Sequence, residues 1–269
     1  CPKSDNPFAQ MTVYGRKEAT VFTGFCGYHD KTVFQPIEDG MFDKSIQHIF
    51  LYTYRCFAVE YHKKQEVVNV NMERNMFKIK PSLADMPDED NPYRGMHMAN
   101  DDLENVKKIF DTALLTGNYD VLSSVVWEFD QSVKFAGTGF EAMTHDLEGN
   151  KIQDLLNPSV SAKHIFVMVF PEGEKTYCII SWLKENDELF ARYKQQLLGL
   201  SEEKRKIYIN NLLPMISENI VVNPEAWDNW EEYKRNEFCA IEFGIATLFE
   251  AEGDYWDRLE PFVYDLFDL

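Results

Sequence analysis

From Tyr119 to Trp182 the chain passes through four segments dense in Val, Ile, Phe and Tyr: Tyr119–Phe129, Ser132–Thr144, Lys163–Phe170 and Thr176–Trp182. Polar turn signals punctuate them, at Asp130-Gln131, Glu148-Gly149-Asn150 and Pro171-Glu172-Gly173-Glu174. β-Branched and aromatic side chains suit a pleated, half-buried surface. A tight hairpin needs a residue that accepts positive φ, and Gly173 supplies one. The block therefore predicts a mostly antiparallel sheet of about four strands. Helical patterns precede and follow it, and that order predicts an α+β fold.

Ser45 reads as the cap of a long helix, about Ile46 to Val68, with Ile46, Ile49, Phe50, Phe57 and Tyr61 at helical spacing. Thr53 is the one polar gap in that stripe. Tyr52, Tyr54 and Cys56 widen the apolar surface, so the helix is expected to be largely buried. Lys31–Glu38 reads as a short helical turn, and Asp101–Leu115 as a helix capped by Asp101 and closed by Gly117-Asn118. After the sheet, helices are expected over Asn186–Leu198, Ser201 to about Leu213, and Pro224–Glu250. The acidic end, Asp254–Leu269, reads as a docked terminal helix, with a protein-docking surface as the alternative. A breaker-rich acidic stretch separates two predicted units. Residues 1–80 form a zinc-knuckle-like region plus the long helix, 81–99 a linking loop, and 100–269 an α+β domain with the sheet. Gly137-Thr138-Gly139 reads as a β-bulge rather than a phosphate cradle.

Hydrophobic residues make up 45% and aromatics 14% of 269 residues, which excludes low-complexity disorder. The formal charge is −18 and lies unevenly. Residues 1–80 hold 11 Lys and Arg against 9 Asp and Glu; the remainder holds 16 against 36. Such an acidic body repels a long duplex. A small nucleic-acid contact near residues 1–80 and a protein partner, basic ones included, stay open. Five dispersed cysteines (Cys1, Cys26, Cys56, Cys178, Cys239) fit a reducing cytosol better than a disulfide scaffold. No membrane-length apolar run or signal peptide is visible, so the expectation is a cytoplasmic protein with no membrane partner. Because position 1 is Cys, the natural start is expected upstream or the chain is processed; a mature bacterial lipoprotein is the other reading.

The chemistry concentrates in Phe22-Thr23-Gly24-Phe25-Cys26-Gly27-Tyr28-His29-Asp30. A thiol and an imidazole three positions apart on a Gly-rich turn have zinc-ligand spacing, so Cys26 and His29 are the candidate metal ligands. Asp30 is placed to accept the outer imidazole N–H and fix the ring. Arg55 and Glu60 on the long helix either face this knuckle or pair with neighbours such as Glu38 and Asp30. Two of zinc's four ligands have no obvious source, and the plain alternative is a buried Cys beside a surface His. His29 is the first His of the chain, which removes an HD-type phosphohydrolase. No GxSxG elbow and no GxxxxGK[ST] loop occur, and Asp85, Asp88, Glu89 and Asp90 lack EF-hand spacing.

Val21–Asp30, Phe34-Gln35-Pro36-Ile37-Glu38 and Phe50–Ala58 together resemble a set of uncharacterised bacterial proteins with a CxxHD treble-clef zinc finger related to HNH nucleases. The resemblance covers about residues 20–65. It implies a zinc cofactor, and a setting such as phage defence. The CxxC and Ser-His that precede this turn in that set are absent here. The expected function is therefore a metal-stabilised binding or interaction protein with no assignable catalysis. The alternatives are an HNH-related nuclease whose other catalytic half is missing from this chain, and an acidic nucleic-acid mimic that occupies a basic protein.

Overall fold

The apolar segments form β1 (Leu122–Phe129), β2 (Phe135–Glu141), β3 (Ile165–Glu172) and β4 (Lys175–Leu183) in a computed structural model. That structure describes residues 11–15, 22, 24–78, 94–155, 157, 160–217, 220–242 and 258–269. Cys1, residues 81–93 of the expected loop and the far end of the expected 224–250 helix lie outside the described residues. A two-residue strand, β5 (Val221–Val222), completes a five-stranded sheet in the order β1-β4-β3-β2-β5. Every pairing is antiparallel. With seven α-helices flanking it in the described residues, the fold is α+β as the segment order requires. β5 is too short to carry a periodic signal.

Before the sheet come α1 (Gly27–Asp39), α2 (Ile46–Lys78) and α3 (Arg94–Thr116). After it come α4 (Ala191–Gly199), α5 (Glu202–Ile216), α6 (Pro224–Asn229) and α7 (Glu232–Glu242). The two groups cover opposite faces of the sheet. On β3 and β4, Ile165, Val167, Val169, Cys178, Ile180 and Trp182 enter the core shared with the later helices. Their alternates Phe166, Met168, Tyr177, Ile179 and Leu183 enter the core shared with α1–α3. A strand buried on both faces reads as a continuous apolar run, which is why these two were the plainest in the sequence. In the second core, Phe110 is fully buried with its ring centroid 5.1–6.1 Å from those of Phe50, Tyr54, Phe57 and Phe166.

Two sequence expectations about turns resolve differently. Gly173 does sit at φ +60, and Glu172 pairs with Lys175 across a two-residue hairpin. Asp130-Gln131, by contrast, begins a strap rather than a hairpin. β1 and β2 are three strands apart in the sheet, about 14 Å at the usual spacing, so residues 130–134 cross the ends of β4 and β3. Thr176 pins that strap: its Oγ1 donates to the Gln131 carbonyl at 2.6 Å and accepts from the Val133 N–H at 3.1 Å.

Several boundaries move for identifiable reasons. α3 begins at Arg94, so residues 94–99 are helical rather than loop, and Asp101 lies inside the helix instead of capping it. Its end is as expected, at Gly117 with φ +68. Ser45 caps α2 by accepting the His48 N–H. The expected 224–250 helix breaks at Trp230-Glu231, which sets Trp227 and Trp230 both against Phe238. The terminal segment docks, and its described residues, 258–269, contain no α-helix. Tyr264 Oη donates to the Asn210 carbonyl at 2.8 Å, and the Asn210 side chain accepts from Leu266 N–H and donates to Asp265.

Gly137-Thr138-Gly139 forms no bulge, since each residue pairs in register with Val169, Met168 and Val167. The glycines serve packing. A Cβ on Gly139 would stand 2.4 Å from the Ile216 carbonyl oxygen, whereas one on Gly137 would meet only side-chain ends at about 3.1 Å. Thr53, the polar gap, is fully buried, donates to the Ile49 carbonyl and sits 2.8 Å from the equally buried Ser181 hydroxyl of β4.

Gly139→Ala is expected to cost at least ~1–3 kcal/mol in urea unfolding, with Gly137→Ala milder, because backbone cannot yield as a side-chain tip can. Thr53→Val, which strands the Ser181 hydroxyl, is expected to cost about 1–3 kcal/mol. Adding Ser181→Ala should recover part of that loss, and a double-mutant cycle measures the coupling directly.

Candidate functional site

The knuckle opens a helix. Cys26 stands in extended conformation (φ −71, ψ 150) at the N-cap of α1, and its carbonyl accepts the Asp30 N–H at 2.9 Å. One turn of helix carries His29 back over the cap, so Cys26 Sγ and His29 Nδ1 lie 3.3 Å apart. Both residues are exposed, and Tyr28 between them is 74% exposed. Cys26 is the one exposed free cysteine among the described residues, Cys239 being half-buried; Cys56 and Cys178 are buried, and burial pushes their thiols well above the usual range. The alternative of a buried Cys beside a surface His therefore fails on the Cys.

Arg55 ties this helix to α2. Its guanidinium bonds the Glu38 carboxylate, stands 3.7 Å from Asp30 Oδ1 and lies over the Phe34 ring at 4.5 Å. Asp30 thus turns to Arg55, while the His29 ring meets Cys26 Sγ through Nδ1, so the expected Asp30–His29 hydrogen bond is not among those formed by the described residues. Glu60 does not join the knuckle either; it is buried and paired with Lys63 at 3.0 Å. Five expected residues, Cys26, His29, Asp30, Glu38 and Arg55, are nevertheless gathered at the α1–α2 face. Within this set the thiol and the imidazole lie against each other, while Arg55 engages Glu38 and Asp30. No group of three or more His, Cys, Asp or Glu suited to a metal occurs among the described residues. The donor chemistry fits zinc, and the pair supplies half a tetrahedron.

Sequence patterns missed two polar clusters. Arg258 of the terminal segment donates to Glu141 at the end of β2 at 2.6 Å, beside the Tyr193–Tyr208 hydroxyl pair, which is fully buried. Burial pushes both tyrosines up. The arrangement fastens the chain end to α4, α5 and the sheet, and no short motif announces it, since its members come from four separate segments. The second cluster is His164, just ahead of β3. Its ring packs edge-on to Phe140 at 4.9 Å, and its buried Nδ1 has no hydrogen-bond partner among the described residues. Burial pushes its pKa down to about 4, against the pull of Asp102 and with the help of Lys64 and Lys163.

No helix among the described residues is long and apolar enough to cross a membrane. Because the folded protein keeps His164 neutral while the unfolded chain protonates near pH 6.5, stability should be intact above about 6.5 and decline as pH falls toward 4. Urea midpoints at pH 7 and pH 5 are expected to differ less in His164→Phe than in the parent chain; an equal drop in both would remove His164 as the cause. Comparison with known protein families, curated proteins and solved structures finds no match to this chain.

Proposed function

We propose that Cys26 and His29 are this chain's contribution to a zinc site, and that the protein is a metal-stabilised interaction module rather than an enzyme. The observation that carries this reading is the 3.3 Å separation of Sγ and Nδ1 on an exposed first helical turn. Two donors of one tetrahedral zinc, at about 2.3 Å for sulfur and 2.0–2.1 Å for nitrogen, stand about 3.5 Å apart. The pair therefore needs only a small rotamer adjustment to grip one ion. Arg55, Glu38 and the Phe34 ring fix α1 on α2, so the two donors are held by a rigid element. Because both are exposed, an ion held there faces outward, where a partner can reach it.

The reading is tested with a Cys1→Ser chain, which leaves Cys26 as the exposed thiol of the described residues. Zinc is expected to slow iodoacetamide labelling of Cys26 at least tenfold, and cobalt(II) to give a thiolate charge-transfer band. Cys26→Ser and His29→Ala should each abolish the cobalt signal while the circular dichroism spectrum stays unchanged. Labelling indifferent to zinc would overturn the assignment. Mg²⁺-dependent DNA cutting lost in His29→Ala would replace it with the nuclease reading. A salt-sensitive complex with a basic protein, indifferent to both substitutions, would replace it with mimicry.

A further inference from the structure

We infer that β1 is an interaction edge on which a second copy of this chain docks, the two strands pairing antiparallel about a twofold axis so that one sheet continues into the other. β1 is one edge of the sheet and pairs with β4 alone. Opposite residues of an antiparallel pair alternate between bonded and unbonded. Lys184 fixes the phase: its N–H donates to the Val121 carbonyl at 2.9 Å, one step beyond the Leu122–Leu183 pair. Ser123, Val125, Trp127 and Phe129 therefore direct their backbone groups to β4. Leu122, Ser124, Val126 and Glu128 turn theirs outward, and no hydrogen-bond partner for those groups occurs among the described residues. Such an edge is a template for another strand, and proteins blunt it with shortness, proline, lysine or a bulge. The strand at the far edge, β5, is two residues long. β1 has eight, contains neither Pro nor Lys, and keeps unbroken register without a bulge.

The strand matches its own copy. A twofold axis perpendicular to the sheet keeps each face on its own side, so residues opposite one another must share a face, and outward groups must meet outward groups. A register centred on Val126 satisfies both conditions. Val126 then lies opposite Val126 of the second copy, and Ser124 lies opposite Glu128 on each side of the axis. That makes about six backbone hydrogen bonds and opposes no like charges. Centring on Val125 instead sets the apolar Leu122 against Glu128. Charge favours the same occupant. With −18 overall, the chain draws a basic partner to its acidic surface at large rather than to this strip. Along β1 the ion pairs balance: Lys44 and Lys175 both hold Glu128, Lys175 stands 3.7 Å from Asp130, and Lys184 holds Asp120 at 2.8 Å. These three cations and three anions add no net charge where two copies meet. One strand pair buries little area, and the dimer is accordingly expected to be weak and concentration-dependent.

Sedimentation velocity of the full chain over a concentration series, with chelator present to silence any metal-held contact, tests the docking. The expected result is a monomer–dimer equilibrium. Ser124→Glu, which opposes Glu128 with a like charge twice, should weaken the dimer roughly tenfold, and Ser124→Lys should tighten it. In a Cys1→Ser, Cys26→Ser chain, Val126→Cys should form a disulfide-linked dimer on oxidation, because a bonded pair spaces its Cα atoms about 5.5 Å apart. Ser124→Cys should not, since it lies opposite Glu128. Circular dichroism checks that each variant is folded, and where a Ser124 variant is not, the cross-linking result decides alone. A monomer at every concentration would overturn the docking, as would a dimer equally strong in Ser124→Glu and Ser124→Lys. Cross-linking through Ser124→Cys but not through Val126→Cys would overturn the register.

Discussion

The whole arrangement depends on the antiparallel pairing of β3 with β4, a hairpin closed by Gly173 and buried on both faces. Its alternate side chains belong to two different cores, so each face demands its own helical cover. α1–α3 meet one demand and α4–α7 with the terminal segment meet the other. Neither helical group has a comparable apolar platform elsewhere. Burial of this kind is favourable by roughly 25 cal/mol per Å² of apolar surface, and it is non-directional. Direction comes from the few polar fixtures inside it: Thr53 on Ser181, Thr176 on the strap, and Asn210 on the terminal segment.

The knuckle inherits its order from that platform at one remove. α2 packs on the sheet through Phe50, Leu51 and Phe57, and α1 packs on α2 through Phe34 and Ile37. Arg55 then adds an ion pair and a cation–ring contact at the edge of this packing. Exposed ion pairs contribute little by themselves, ~0–1 kcal/mol, so the role of Arg55 is chiefly to set the rotation of α1. That rotation decides where Cys26 and His29 face.

Legibility in the sequence followed burial. β3 and β4, apolar throughout, were read to within a residue or two; Gly173 marked the turn between them and Gly117 the end of α3, both at positive φ. The strap at 130–134 shows in the sequence only as a turn signal, because its crossing is enforced by a distant Thr176, which no local pattern contains. The break at Trp230 escaped for a similar reason: the aromatic cluster that imposes it includes Phe238 and Tyr264. Cys26 and His29 were found by spacing, and helical geometry brought them together. The contact of Asp30 was not foreseen, since Arg55 approaches it from another helix. Clusters assembled from several segments, such as Arg258–Glu141 with the two tyrosines, leave no trace in a linear reading.

The crossing strap also has a temporal meaning. β1 is made first, yet its only partner, β4, is made last of the four long strands, after the whole of β2 and β3. Until the hairpin has closed, β1 is an unpaired ribbon carrying Trp127 and Phe129 with nothing to hold them, and loop closure must precede any reward from its pairing. The sheet is thus assembled from its centre outward, and β1, at the sheet's edge, cannot be zipped in until β4 is in place.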